Sequence, residues 1–194
     1  MTFPNLMSFV RIILSPVFLF LFLRGDDYGH KYLRILSVIV FFIAVLTDWY
    51  DGWHARKFKS VTKTGVFLDP FADKVLTTFA FALFYSLGIM PLWMFVIIAL
   101  RDLLVTLLRS YDEYNGKTMK TSFISKLKTF FQMTYIFVVL FLLVLPSFGY
   151  TDTLKISDFL YDSPVNYIVM LSVTALTFYT GLIYFFERKF ENFK

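Results

Sequence analysis

Apolar residues fall into six long runs, at positions 6–23, 33–47, 66–87, 92–108, 124–145 and 165–186. Short polar stretches separate them. A hydrocarbon layer of about 30 Å takes about 20 residues of helix. Backbone in lipid must satisfy its own hydrogen bonds, so each run reads as a membrane helix. The second run continues into Asp48 and Asp51, and the third carries Asp69 and Asp73 in its first turns. Pro16 is a place for the first helix to bend. Residues 88–91 read as a tight turn, and 146–164 as a longer loop. Residues 1–5 read as a short interfacial lead, with Asn5 as helix cap. The pattern predicts an all-α integral membrane protein, a bundle of six transmembrane helices after a short N-terminal interfacial segment. No internal repeat is visible, and residues 1–194 read as one domain.

Composition supports the membrane reading. Hydrophobic residues make up 58 % of the chain, with 26 Phe, against about 45–50 % apolar in soluble domains. The mean hydropathy is +0.66. Cysteine is absent, which excludes disulfides and thiolate metal sites, and two His argue against a His-based metal site. The first run lacks a basic lead and a small-residue cleavage site, so no cleavable signal is expected.

The net charge of +5 is placed where a membrane protein keeps basic residues, and no nucleic-acid partner is expected. Arg56, Lys57, Lys59 and Lys63 follow the second run. Arg109, Lys117, Lys120, Lys126 and Lys128 follow or flank the fourth. Arg188, Lys189 and Lys194 close the chain, whereas the 146–164 loop sets Asp152, Asp158 and Asp162 against Lys155. The excess of basic residues marks the cytoplasmic side. Both termini and the aspartates are therefore expected on the cytoplasmic side.

Four aspartates at the ends of apolar runs need a reason, because a carboxylate at mid-membrane costs about 2.5–3.5 kcal/mol. Asp48 and Asp51 are three apart, and Asp69 and Asp73 are four apart. On helices both spacings put the pair on one face. Two such faces turned together bring four carboxylates into one place, which calls for cations. Hard oxygen donors favour Mg²⁺ or Mn²⁺. Gly52, Ala55 and Gly65 leave room for a ligand. Arg56, beside them, suits a diphosphate, since a guanidinium can bind two phosphate oxygens.

The pattern Asp48-x2-Asp51-Gly52-x2-Ala55-Arg56-x8-Gly65-x3-Asp69-x3-Asp73 resembles the full signature of the CDP-alcohol phosphotransferases. All eight fixed positions are filled. The resemblance implies a homodimeric two-metal membrane enzyme, with two Mg²⁺ or Mn²⁺ ions on Asp48, Asp51, Asp69 and Asp73. Asp73 would be the general base. Asp48, Asp51, Gly52, Ala55, Arg56, Gly65 and Asn5 would bind the CDP-linked donor, and CMP would leave. The family often has an Arg in the first helix, where Arg11 stands. Arg11 either snorkels to the interface or faces the site.

A second set of residues bears on the acceptor. Arg101-Asp102-x3-Thr106-x2-Arg109, Ser125-Lys126-Leu127-Lys128-Thr129 with Gln132, and Asp69-Pro70-x-Ala72-Asp73-Lys74 resemble the phosphatidylglycerophosphate synthase branch. Departures are Asp102, where that branch usually has Glu, and Leu107, where it usually has Gly. The implied substrates are CDP-diacylglycerol and glycerol 3-phosphate. Arg101, Arg109, Lys126 and Lys128, with Thr106, would hold the acceptor phosphate, and several cations on the aspartate side suit a phosphorylated acceptor. Asp102 and Arg101 either pair or line a polar cavity. These matches spread over about the first two thirds of the chain, and the sixth run adds little to the resemblance.

Other readings stand beside this one. They are a sister enzyme with inositol phosphate or serine as acceptor, an ion-coupled transporter, and a metal-dependent prenyltransferase. The chain has neither inverted repeats nor paired broken helices, which argues against transport. A prenyltransferase would want two acid-rich motifs in separate parts of a longer chain.

Overall fold

The computed structural model describes residues 3–58, 63–114, 123–149 and 153–191, with side chains at 6–47, 50, 68–113, 123–149, 154–186 and 188. The elements in order are α1 (Phe3–Asp27), α2 (Lys31–Phe58), α3 (Lys63–Ser86), α4 (Leu92–Tyr114), α5 (Phe123–Val144), a 3-10 turn (Leu145–Phe148), α6 (Thr153–Ser157), a wide helical turn (Asp158–Asp162) and α7 (Pro164–Glu191). Among the described residues there is no strand.

Three stretches are long and apolar enough to cross a membrane: Leu6–Asp27, Phe123–Phe148 and Pro164–Phe186. The other long helices, α2, α3 and α4, carry the aspartates of the candidate site together with Arg56, Arg101 and Arg109. Large apolar side chains such as Ile13, Phe20, Phe141 and Phe178 are exposed, a surface suited to lipid. The chain is an all-helical membrane protein.

Several boundaries differ from expectation. Residues 3–5 form the first turn of α1 rather than a separate lead, so Asn5 lies within the helix and is not its cap. Pro4 is tolerated there because first-turn amides have no intrahelical acceptor to lose. The 146–164 segment contains α6 and two helical turns rather than open loop. Between α3 and α4 the turn closes on Gly88, at φ 78°. The Ile89 amide donates to Phe84 O at 3.0 Å and the Gly88 amide to Tyr85 O at 2.9 Å. This is the paired closure of a helix end, and its positive φ suits glycine.

The long helices bury stripes of their surface. On α1 the stripe is Ser8, Arg11, Ser15, Phe18 and Phe22, all at most 1 % exposed. The alternating spacing of three and four is that of a helix–helix seam. On α5 the stripe includes Lys128, Gln132, Tyr135 and Val139, and on α7 Asn166, Met170, Val173, Thr177 and Thr180. The stripe of α1 packs along both α2 and α3, α3 also meets α4, and α7 meets α4 and α5. Ser37 of α2 donates to Phe18 O at 2.9 Å, and the Phe18 and Phe41 rings lie 5.0 Å apart.

The stripes of α1 and α5 are polar at one end of the bundle and apolar beyond it. Early α1 meets early α3, early α5 meets the middle of α4, and late α4 meets late α7. One end thus collects Ser8, Arg11, Asp69, Asp73, Asp102, Lys128, Gln132 and Thr180. Phe22, Phe41, Phe84, Met94 and Val139 fill the core beyond it.

Candidate active site

Asp69 and Asp73 lie on one face of α3, and that face meets α1. Ser8 donates its hydroxyl proton to Asp69. Arg11 donates from Nη1 to Asp73 Oδ1 at 2.5 Å. Ser8 and Arg11 are three apart on α1 and their partners four apart on α3, so two neighbouring turns of each helix are stitched together. The Arg11 side chain is fully buried, while that of Asp73 is 42 % exposed. The guanidinium approaches from inside the bundle and the carboxylate stays exposed on its outer side. Arg11 is therefore not an interface-seeking side chain. Among the described residues α2 and α3 touch little; α1 lies against both.

Asp48, Asp51, Gly52, Ala55 and Arg56 lie on the last turns of α2, and Gly65 on the first turn of α3. Their side chains, and that of Asn5, lie outside those described. Among the described residues no group of three or more His, Cys, Asp or Glu assembles. The two described aspartates suit a hard divalent ion: both are carboxylates, both are partly exposed, and they are one turn apart.

The second cluster centres on Asp102, 1 % exposed. Lys128 Nζ donates to its Oδ1 at 2.5 Å, Gln132 Nε2 to its Oδ2 at 2.9 Å, and Arg101 Nη1 to its Oδ1 at 3.2 Å. Two readings of Arg101 and Asp102 were open, and the structure pairs them within a wider network. Its charge is fixed by two cations and an amide, as a buried carboxylate requires. Lys128 is itself 1 % exposed and committed to this pair. Thr106 is buried, Arg109 half-buried and Lys126 exposed. The acceptor residues named from sequence thus divide by burial, with Thr106 and Lys128 inside and Arg109 and Lys126 further out.

The last helix also joins this network. Arg101 Nη2 donates to Thr180 Oγ1 at 2.9 Å. Arg188 donates to Asp112 at 2.9 Å, and the Tyr184 hydroxyl to the same carboxylate at 3.2 Å, tying the end of α7 to that of α4. Sequence reasoning missed Ser8, Asp112, Thr180 and Arg188. A signal existed for two of them: Ser8 shares the seam of Arg11, and Thr180 shares that of Asn166 and Thr177.

The chain belongs to the CDP-alcohol phosphatidyltransferase family, whose family model matches residues 1–183. Among its relatives is the CDP-diacylglycerol–glycerol-3-phosphate 3-phosphatidyltransferase of Bacillus subtilis (strain 168), 35 % identical over 138 residues, which are 67 % of this chain and 72 % of the relative. A probable phosphatidylglycerophosphate synthase of Mycobacterium tuberculosis (strain CDC 1551 / Oshkosh) is 33 % identical over 180 residues, 93 % of this chain and 78 % of the relative. A CDP-diacylglycerol–glycerol-3-phosphate 3-phosphatidyltransferase of Rickettsia typhi (strain ATCC VR-144 / Wilmington) is 31 % identical over 182 residues, 94 % of each chain.

Proposed function

We propose that the protein transfers the phosphatidyl group of CDP-diacylglycerol to glycerol 3-phosphate, giving phosphatidylglycerol phosphate and CMP. The observation that carries this reading is the full aspartate signature in a chain whose relatives bear that activity in their names.

Asp48, Asp51, Asp69 and Asp73 would hold two Mg²⁺ or Mn²⁺ ions, which when bound neutralise the diphosphate and the charge on departing CMP. Arg56 binds the diphosphate, Asn5 contributes to binding the donor, and Gly52, Ala55 and Gly65 make room for it. Ser8 and Arg11 hold Asp69 and Asp73 in place. Arg11 engages Asp73, and the Asp73 carboxylate is assigned to the proton of the acceptor hydroxyl. The acceptor oxygen forms a bond to the phosphorus that carries diacylglycerol. The bond from that phosphorus to CMP breaks, and CMP leaves with the electron pair.

The acceptor phosphate is assigned to Arg109, Lys126 and Arg101, with Thr106 and Lys128 behind them. The chain is read as one domain over 1–194 with six membrane-spanning helices, α1–α5 and α7. It sits in the cell (inner) membrane with the aspartates at the cytoplasmic face and acts as a homodimer. The basic links after α2 and α4 support that orientation.

The experiment is a CMP-release assay on purified protein with CDP-diacylglycerol and, in turn, glycerol 3-phosphate, inositol phosphate, serine and inositol. Release with glycerol 3-phosphate alone is expected. Release with another acceptor alone would assign a sister activity, and no release with any would remove the transferase reading.

A further inference from the structure

We infer that Thr180 and Gly181 of α7 are positioning residues for the phosphorylated acceptor, acting by seating Arg101. The inference rests on the assignment of Arg101 to the acceptor phosphate.

The seat has two parts. Thr180 Oγ1 lies 2.9 Å from both Leu176 O and Thr177 O. Its one proton is therefore spent on its own helix, and what it turns to Arg101 Nη2 is a lone pair. The next residue is glycine, and a Cβ there would stand 2.8 Å from Arg101 Cγ and 3.4 Å from Nε. The aliphatic stem of Arg101 occupies the space that any other residue's side chain would take.

Together with Asp102 at Nη1, this grips the guanidinium at both ends. Thr180 is 1 % exposed and the Arg101 side chain 13 % exposed. The surrounding α4–α7 seam is apolar, formed by Ile97, Leu104, Phe178 and Leu182. In such surroundings a hydroxyl acceptor and an adjacent missing side chain define one direction for the long Arg side chain. Without them the guanidinium retains its charge and loses its fixed aim. Binding of a dianionic headgroup depends on that aim more strongly than binding of the nucleotide donor does.

The test measures both KM values and kcat for purified full-length Thr180→Val, Thr180→Ser, Gly181→Ala and, as reference, Arg101→Gln. Arg101→Gln is expected to raise the KM for glycerol 3-phosphate by roughly tenfold or more, as loss of a charge-assisted hydrogen bond does. Thr180→Val and Gly181→Ala should raise it about fivefold, with the KM for CDP-diacylglycerol within about twofold of the parent. Thr180→Ser, which keeps the acceptor oxygen, should restore it. If Gly181→Ala does not fold, the near-isosteric Val and Ser pair at 180 decides. A parental KM in Thr180→Val beside a raised one in Arg101→Gln overturns the seat and leaves the acceptor assignment standing. A parental KM in Arg101→Gln itself removes that assignment, and the seat with it. Equal changes in both KM values, or a fall in kcat that Thr180→Ser does not repair, would show a purely structural part for α7 and also overturn the inference.

Discussion

The fully buried guanidinium of Arg11 meets the 42 % exposed carboxylate of Asp73 at 2.5 Å, across 62 positions of chain. One partner belongs to the interior and the other to the open face of the site. Substitutions on the two sides therefore have different consequences. Removing the arginine leaves a carboxylate that water can reach. Removing the carboxylate takes a counter-charge from a guanidinium that water cannot reach.

Arg11→Met fills most of the volume and removes the charge. It is expected to keep thermal stability near the parent while kcat falls about tenfold or more, because Asp73 loses its fixed aim. Asp73→Asn should abolish turnover and also lower the melting temperature, by about 1–3 kcal/mol of stability once the exposure of Asp73 is allowed for. Steady-state kinetics and thermal melts of the two proteins check this. Parental kcat in Arg11→Met would reduce the contact to helix packing.

The acceptor cations should divide as their burial does. Lys126→Ala, at an exposed position, is expected to raise the KM for glycerol 3-phosphate about ten- to a hundred-fold without loss of stability. Lys128→Ala leaves Asp102 buried with one cation fewer and should cost about 3–5 kcal/mol of stability. Melting curves beside KM values separate the two effects. A Lys128→Ala protein as stable as the parent would mean that the buried pair is not what holds α4 to α5.

Dependence on divalent metal is expected to be complete. Excess EDTA should abolish CMP release, and Mg²⁺ or Mn²⁺ should restore it. Full activity in the chelator would remove the metal reading of the aspartates.

Topology is testable because the chain has no cysteine. Cysteines introduced at 59 and 117 should react with an impermeant reagent from the cytoplasmic side only, and one at 158 from the other. Labelling of 59 and 158 from the same side would break the six-span arrangement.

The helices were legible because lipid demands unbroken apolar runs, and such runs are visible by eye. That Asp69 and Asp73 share one face of α3 was legible because a spacing of four is one helical turn. Ser8 and Thr180 were legible as seam positions but not as bonding partners, since a lone hydroxyl in a membrane helix most often bonds back to its own backbone, as Thr174 and Thr177 do. Asp102 and Lys128 are 26 positions apart and on different helices, and no local spacing announces that they meet. Arg11 could be placed either way because its helix position fits both an interface and a site. The identity of its partner across the seam decides it, and that is a tertiary fact.

The polarity gradient along the buried stripes also sets how the helices align lengthwise. Apolar side chains alone slide past one another at little cost, and lipid gives a helix no preferred height to within a turn. Moving α5 against α4 by one turn, about 5.4 Å, away from the polar end would carry Lys128 from Asp102 to the level of Ile98, with no acid to meet it. The charged end therefore acts as a vernier for the whole bundle. It fixes the height of α5 and α7 on α4, and thereby the depth in the membrane at which a lipid-borne donor and a water-borne acceptor can meet.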